Sequence, residues 1–315
     1  MGNRFRGVFT IPVTPFDADG ALDEPGLRRC VEFCIAAGAH DLVAPVNASE
    51  FSALTDDERC RVAAIVVETA ARRVPVVIGV AGLSGQHAAT FARHARVIGA
   101  DAVIAMPPYV RKAAPDEIME YFRTVAGAAE VPVFIQNYSA PIGTPLSAAF
   151  MLRLVREIDG IEYVKEETLP AGHVMTALLA AGEPRLHGVM GGMAGRFLLD
   201  EFARGACGTM PACEVTDIHV ALWNALESGD LALARSIYNR LLPLLNIEWL
   251  YGAAVYKEVL RRRGVIDGAT MRIAGVQAFD AYDHRELDAI LADVSALFTT
   301  APLVDAPSRE ALVAD

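Results

Sequence analysis

A chain of 315 residues with 53% apolar and 21% charged side chains has the composition of a folded globular protein and not of a disordered one. Its formal net charge of −11 is repelled by phosphate backbones and anionic lipids, which argues against nucleic-acid and membrane partners while leaving anionic substrates open. The five cysteines, Cys30, Cys34, Cys60, Cys207 and Cys213, are too sparse for a disulfide framework.

In chain order, Met1-Gly2-Asn3-Arg4-Phe5-Arg6 leads into a strand-like run and not into the apolar core of a signal peptide. The most apolar stretches are broken by Arg72-Arg73, Pro75 or glycines short of the ~20 residues that a membrane helix needs, so a cytoplasmic location is expected. Short β-branched runs recur at 7–13, 41–46, 74–81, 102–106, 131–136, 161–165, 186–190 and 208–211. Between them lie Ala-, Leu- and Arg-rich stretches with apolar residues at three- and four-residue spacing, the mark of amphipathic helices. Thr55 is a plausible N-cap ahead of Asp56-Asp57-Glu58-Arg59, Pro115 sits at an allowed first-turn position, and Ser147 caps a third helix. Cys30 and Cys34 share a helical face, where core packing is the expected role.

The strands read as continuous apolar runs, as they do when both faces of a parallel sheet are covered. Eight βα units predict an α/β fold, a (β/α)8 TIM barrel. The main rival, a doubly wound open sheet, wants a glycine-rich first turn, and this chain has Pro12-Val13-Thr14-Pro15-Phe16 there. Beyond Pro211 the pattern is purely helical, at about 217–228, 231–242, 246–263 and 285–297. The expected organisation is a barrel over residues 1–212, C-terminal helices over 213–300 packed on it in the same domain, and a poorly ordered tail over 301–315.

In a TIM barrel the reacting groups sit on loops at the C-terminal ends of the strands. Lys165, closing Ile161-Glu162-Tyr163-Val164-Lys165, stands out. An interior position there puts its amine in a partly dry barrel mouth, and desolvation favours the neutral amine that attacks a keto group to form an imine. The bland alternative is a lysine reaching solvent from a strand end.

The ordered set Val13-Thr14-Pro15-Phe16-Asp17, Glu50 with Leu54-Thr55-Asp56-Asp57-Glu58-Arg59, Arg73-Val74-Pro75-Val76-Val77-Ile78-Gly79-Val80, Gly99-Ala100-Asp101-Ala102, Pro107-Pro108-Tyr109, Gln136-Asn137 and Lys165-Glu166 resembles the dihydrodipicolinate synthase/N-acetylneuraminate lyase superfamily over nearly the whole chain. The resemblance implies a (β/α)8 barrel with C-terminal helices, usually a homotetramer, in which the lysine matching Lys165 forms a Schiff base with pyruvate or another 2-keto acid. No cofactor and no metal are expected, since the seven histidines show no ligand spacing.

The departures from that family carry information. Its carboxylate-binding segment, usually Gly-Thr-Thr-Gly-Glu, is Val46-Asn47-Ala48-Ser49-Glu50 here, and the tyrosine that precedes the matching asparagine is Gln136, which cannot act as an acid or base near neutral pH. The second tyrosine of the family relay falls near Val110, and no arginine stands near Pro141 for a distal carboxylate, so lysine biosynthesis and conventional neuraminate cleavage are disfavoured. Gly143-Thr144-Pro145-Leu146-Ser147 and Ala53 to Arg59 are similar to the branch of 2-keto-3-deoxy-L-arabonate dehydratases. The candidate catalytic residues are Lys165, Gln136 and Tyr109; the candidate substrate-binding residues are Thr14, Asn47, Ala48, Ser49, Glu50, Asn137, Gly191 and Gly192. Glu50, Glu167, Tyr109, Tyr138 and His187 are candidates to replace the missing tyrosine. The expected activity is a lyase on a small 2-keto acid, a dehydratase of a 2-keto-3-deoxy sugar acid. The alternatives are a pyruvate-dependent aldolase and a barrel that binds a keto acid without turning it over.

Overall fold

The computed structural model describes residues 5–138 and 144–304. Eight parallel strands close in chain order into one barrel: β1 (Gly7–Thr10), β2 (Asp41–Ala44), β3 (Val76–Gly79), β4 (Ala102–Ala105), β5 (Val133–Asn137), β6 (Ile161–Glu166), β7 (Gly188–Gly191) and β8 (Gly208–Thr209). The helices α1 (Glu24–Ala36), α2 (Asp56–Ala70), α3 (Gly85–Ile98), α4 (Pro115–Ala129), α5 (Ala148–Glu157), α6 (Ala171–Ala180) and α7 (Leu198–Ala203) alternate with them, and α8 (Thr216–Glu227) follows the last strand. The TIM-barrel expectation is met, strand by strand.

Local signals account for several boundaries. Thr55 and Glu58 form a reciprocal capping box at the start of α2, and Ser147 accepts the Phe150 amide at 3.2 Å to open α5. Pro115 begins α4.

Two apolar layers result from the two-residue period of the strands. Valines and isoleucines of the outward set, such as Val103, Ile135 and Val164, pack against α1 to α6. The inward set fills the barrel with Ile104 and with Phe5, Phe9, Phe134 and Tyr163, and the four rings pack at centroid distances of 4.4 to 6.4 Å. Phe134 of β5 stacks on Tyr163 of β6. One step up the same inward faces, Gln136 is in register with Lys165. The aromatic plug is therefore the floor on which the lysine stands.

The C-terminal helices depart from the sequence reading. The expected interruption between 242 and 246 is absent: α9 (Leu231–Tyr251) runs through Pro243 and ends at Gly252, where α10 (Ala253–Arg262) begins. A proline inside a helix removes a hydrogen bond and costs ~3 kcal/mol. Burial of Leu241, Leu244, Leu245 and Ile247 against α8 and its neighbours offsets that cost. The last described α-helix, α11 (Ala281–Val294), starts earlier than expected because Asp280 accepts the amides of Tyr282 and Asp283 at 2.7 and 3.0 Å.

Arg263 is fully buried, gripping Asp217 of α8 at 2.7 and 3.1 Å. Asp217 also takes the amides of Thr299 and Thr300, and Val304 donates to the Arg262 carbonyl at 2.9 Å, so residues 299–304 are held against the helices. The rest of the expected tail, 305–315, and Gly143 of the quoted motif lie outside the described residues. No described helix is long and apolar enough to cross a membrane.

Candidate active site

A cavity of about 640 Å³ opens at the C-terminal ends of the strands. Its floor and sides come from the ends of β1, β2, β5, β6, β7 and β8 through Ile11, Asn47, Ala48, Tyr138, Lys165, Glu167, Met193 and Met210; α9 and α10 close one wall with Glu248, Trp249, Tyr251 and Tyr256.

Lys165 is 3% exposed. The dry setting expected from the strand end is present, with an added carboxylate: Nζ lies 3.1 Å from Glu167 Oε1. Glu167 continues the inward parity of β6 past the end of the ladder, its amide bonded to the Asn137 carbonyl at 2.9 Å. Its other oxygen accepts from Gln136 Nε2 at 2.7 Å, and the Met193 amide donates to Oε1 at 3.3 Å. Lysine, glutamate and glutamine thus form one buried chain. Tyr138, next inward on the β5 side, has its phenol pushed up to about 12 by burial and by the charge of Glu167.

The loop after β2 contains two 3-10 turns, Asn47–Ser49 and Phe51–Ala53, and the leading amides of the first have no acceptor within it. Asn47 and Ala48 line the cavity, and Asn47 Oδ1 is buried without a hydrogen-bond partner. A ligand carboxylate can take those amides.

The other expected site residues are used differently. Thr14 Oγ1 donates to the Ser49 carbonyl at 2.7 Å and Ser49 Oγ to the Pro12 carbonyl at 2.8 Å, so both tie the β1 and β2 loops together and neither lines the cavity. Glu50 pairs with the fully buried Lys257 of α10 and accepts the amides of Arg272 and Ile273 at 2.9 and 2.8 Å. It thereby pins the segment that presents Ile273 to the cavity, and does not itself line that cavity. Asn137 faces outward, where its amide spans Glu166 at 2.7 Å and Leu146 at 2.7 and 3.0 Å. The strand period forces this: a residue next to the inward Gln136 cannot also point inward. Tyr109 packs edge-on against Phe51 and does not line the cavity. His187 precedes β7 at the opposite end of the barrel, paired with Glu162 at 3.1 Å.

Gly191 and Gly192 are glycines for want of room. A Cβ on Gly192 would meet Glu167 Oε1 at 2.3 Å, and one on Gly191 would meet Glu201 Oε2 at 1.8 Å. Beyond them Met193 and Ala194 hold positive φ values of 52° and 58°, a strained pair at the cavity edge. The His219 side chain binds the Ala194 carbonyl at 3.0 Å and braces that loop.

Glu50→Ala leaves the Lys257 ammonium buried without its charge partner, at a cost of ~3–5 kcal/mol. Thermal unfolding is expected to fall by roughly 5–10 °C, measured by circular dichroism. A shift of about 2 °C or less would mean that the pair holds nothing together.

The sequence candidates omitted Glu248, Trp249, Tyr256, Arg196 and Met193, all of which line the cavity. Arg196 and Met193 were findable from their place just after Gly191 and Gly192. The α9 and α10 residues carried no such signal, because nothing in their pattern shows which helix turns back over the barrel mouth.

The dihydrodipicolinate synthetase family profile matches residues 4–292. The chain is 34% identical to an L-2-keto-3-deoxyarabonate dehydratase of Azospirillum brasilense over 267 residues, covering 84% of this chain and 86% of that protein. It is 33% identical to a 4-hydroxy-tetrahydrodipicolinate synthase of Acidiphilium cryptum, with 76% and 82% covered. Among solved structures, the dihydrodipicolinate synthase of Rhodopseudomonas palustris superposes with a TM-score of 0.85 at 25% identity over 93% of this chain and 99% of that one. The Escherichia coli prophage protein YagE, crystallised in complex with pyruvate, gives 0.84 at 25% over 91% and 97%. A closed barrel with C-terminal helices, a lysine inside its mouth and a family match over nearly the full length converge on one assignment: the chain belongs to the dihydrodipicolinate synthetase family, a family of lyases.

Proposed function

We propose that this protein is a dehydratase of a 2-keto-3-deoxy sugar acid that works through an imine on Lys165. The observation that carries the reading is the buried chain Lys165–Glu167–Gln136. It sets a carboxylate against the amine at the level where the family's tyrosine is replaced by Gln136.

The chemistry follows from the groups present. Glu167 takes a proton from the Lys165 ammonium, the freed amine adds to the C2 keto group, and Glu167 returns that proton to the departing carbinolamine hydroxyl, so that water leaves, an iminium forms and Glu167 is again a carboxylate. The substrate carboxylate is held by the amides of Asn47 and Ala48. With the iminium as electron sink, Glu167 removes a C3 proton to form the enamine. The enamine electrons return as the C4–O bond breaks, and the proton on Glu167 leaves with the hydroxyl as water. Hydrolysis of the imine releases the product. Gln136 holds Glu167 in line without titrating itself.

The likeness to the Azospirillum dehydratase supports the substrate class. The test is product analysis with 2-keto-3-deoxy-L-arabonate. The expected product is one water lighter than the substrate. Accumulation of pyruvate with a two-carbon aldehyde would replace the dehydratase reading by retro-aldol cleavage, and no turnover of this or related sugar acids would leave a binding barrel.

A further inference from the structure

One wall of the cavity contains a pair of acids that the chemistry above does not use. Glu214, in the loop between β8 and α8, is 0% exposed, and Glu248, in the last turn of α9, is 3% exposed. Among the described residues no donor reaches any of their four carboxyl oxygens, and the two carboxyls face each other. Two carboxylates in contact and out of water repel, so the contact requires a proton between them. Burial and the Glu214 charge hold that proton on Glu248, and the C-terminal end of α9, where the helix dipole is negative, adds to the effect.

Immediately after Glu248 come Trp249, Tyr251, Gly252, Ala253 and Tyr256, all lining the cavity. Gly252 joins α9 to α10 at φ 53° and ψ −126°, a backbone state open to glycine and strained for other residues. The wall therefore turns at a glycine beside the acid pair. We propose that Glu214 and Glu248 are positioning residues that share one proton, and that loss of this proton releases the Glu248–Tyr256 turn from its place over the cavity. The groups that face the pair are Arg196 from the loop after β7, Tyr256 from α10, and Cys213 and Arg263 beside Glu214. The Arg263 guanidinium is spent on Asp217 and on the Glu214 backbone carbonyl, and that of Arg196 donates to the Leu245 carbonyl, so neither pairs with the two carboxyls. The direction follows: the wall is held at and below neutral pH and loosens as pH rises. The inference stands whichever ligand the cavity takes.

Trp249 reports on the wall directly, since it follows Glu248 and lies under the Arg196 guanidinium, 5.0 Å from ring centroid to carbon. The experiment uses Trp223→Phe protein, which leaves Trp249 as the sole tryptophan, and follows its emission without ligand from roughly pH 6 to 10. A reversible emission change on the alkaline side is expected. It should be lost, or moved by about one pH unit or more, in both Glu248→Gln and Glu214→Gln. Each glutamine keeps the shape and can donate to the remaining carboxyl without a titrating proton, and two variants guard against one failing to fold. Glu201→Gln, at a buried acid away from this wall, should keep the transition. An emission flat across the range, or a transition unchanged in both wall variants, would overturn the proposal.

Discussion

Lys165→Ala should form no borohydride-trapped adduct with pyruvate, while the unchanged protein gains one reduced pyruvyl group by intact-mass measurement. The same variant should lose on the order of 10⁴-fold or more in turnover of the sugar acid, because no other described amine lines the cavity. Lys257 is the nearest alternative by burial, but its ammonium is spent on Glu50 and on the Thr270 carbonyl at 2.7 Å. Removing Lys165 also leaves Glu167 without its cation, so folding must be checked in parallel by thermal unfolding; Lys165→Arg keeps the charge, cannot form the imine, and should fail in the same way. An adduct of undiminished yield on either variant would place the imine elsewhere and end this mechanism.

Glu167→Gln separates binding from proton transfer. Glutamine keeps the volume and an acceptor for Gln136, and gives up the ability to take a proton. Pyruvate should still be trapped on Lys165, more slowly, while kcat for the sugar acid falls by ~10²–10⁴-fold, the usual worth of a positioned acid–base group. KM should change much less. A kcat within about fivefold of the unchanged protein would remove Glu167 from the chemistry and turn attention to Tyr138, whose phenol is held protonated by burial and by the Glu167 charge.

The barrel was legible because its evidence is local. Apolar runs of strand length, Thr55 with Glu58, and a proline in a helix's first turn each act within a few residues, and eight repeats of one unit leave few topologies. Lys165 was legible from its place at a strand end and from the family resemblance together. The period of two also sorts the residues at the barrel mouth. Phe134, Gln136 and Tyr138 face inward with Tyr163, Lys165 and Glu167, so Asn137 and Glu166 must face the helices.

The class of fold and the strand that carries the lysine follow from short-range periodicity, and the loops that can meet a ligand follow from the barrel that this periodicity implies. Tertiary structure alone decided which polar groups those loops spend on one another. Glu50 is claimed by Lys257, far along the chain, and Thr14 by Ser49. It also decided that α9 and α10 turn back to wall the cavity with Glu248 and Trp249. A buried polar group takes whichever partner the packed chain brings within ~3 Å, and that choice is made by long-range closure, which no local pattern encodes.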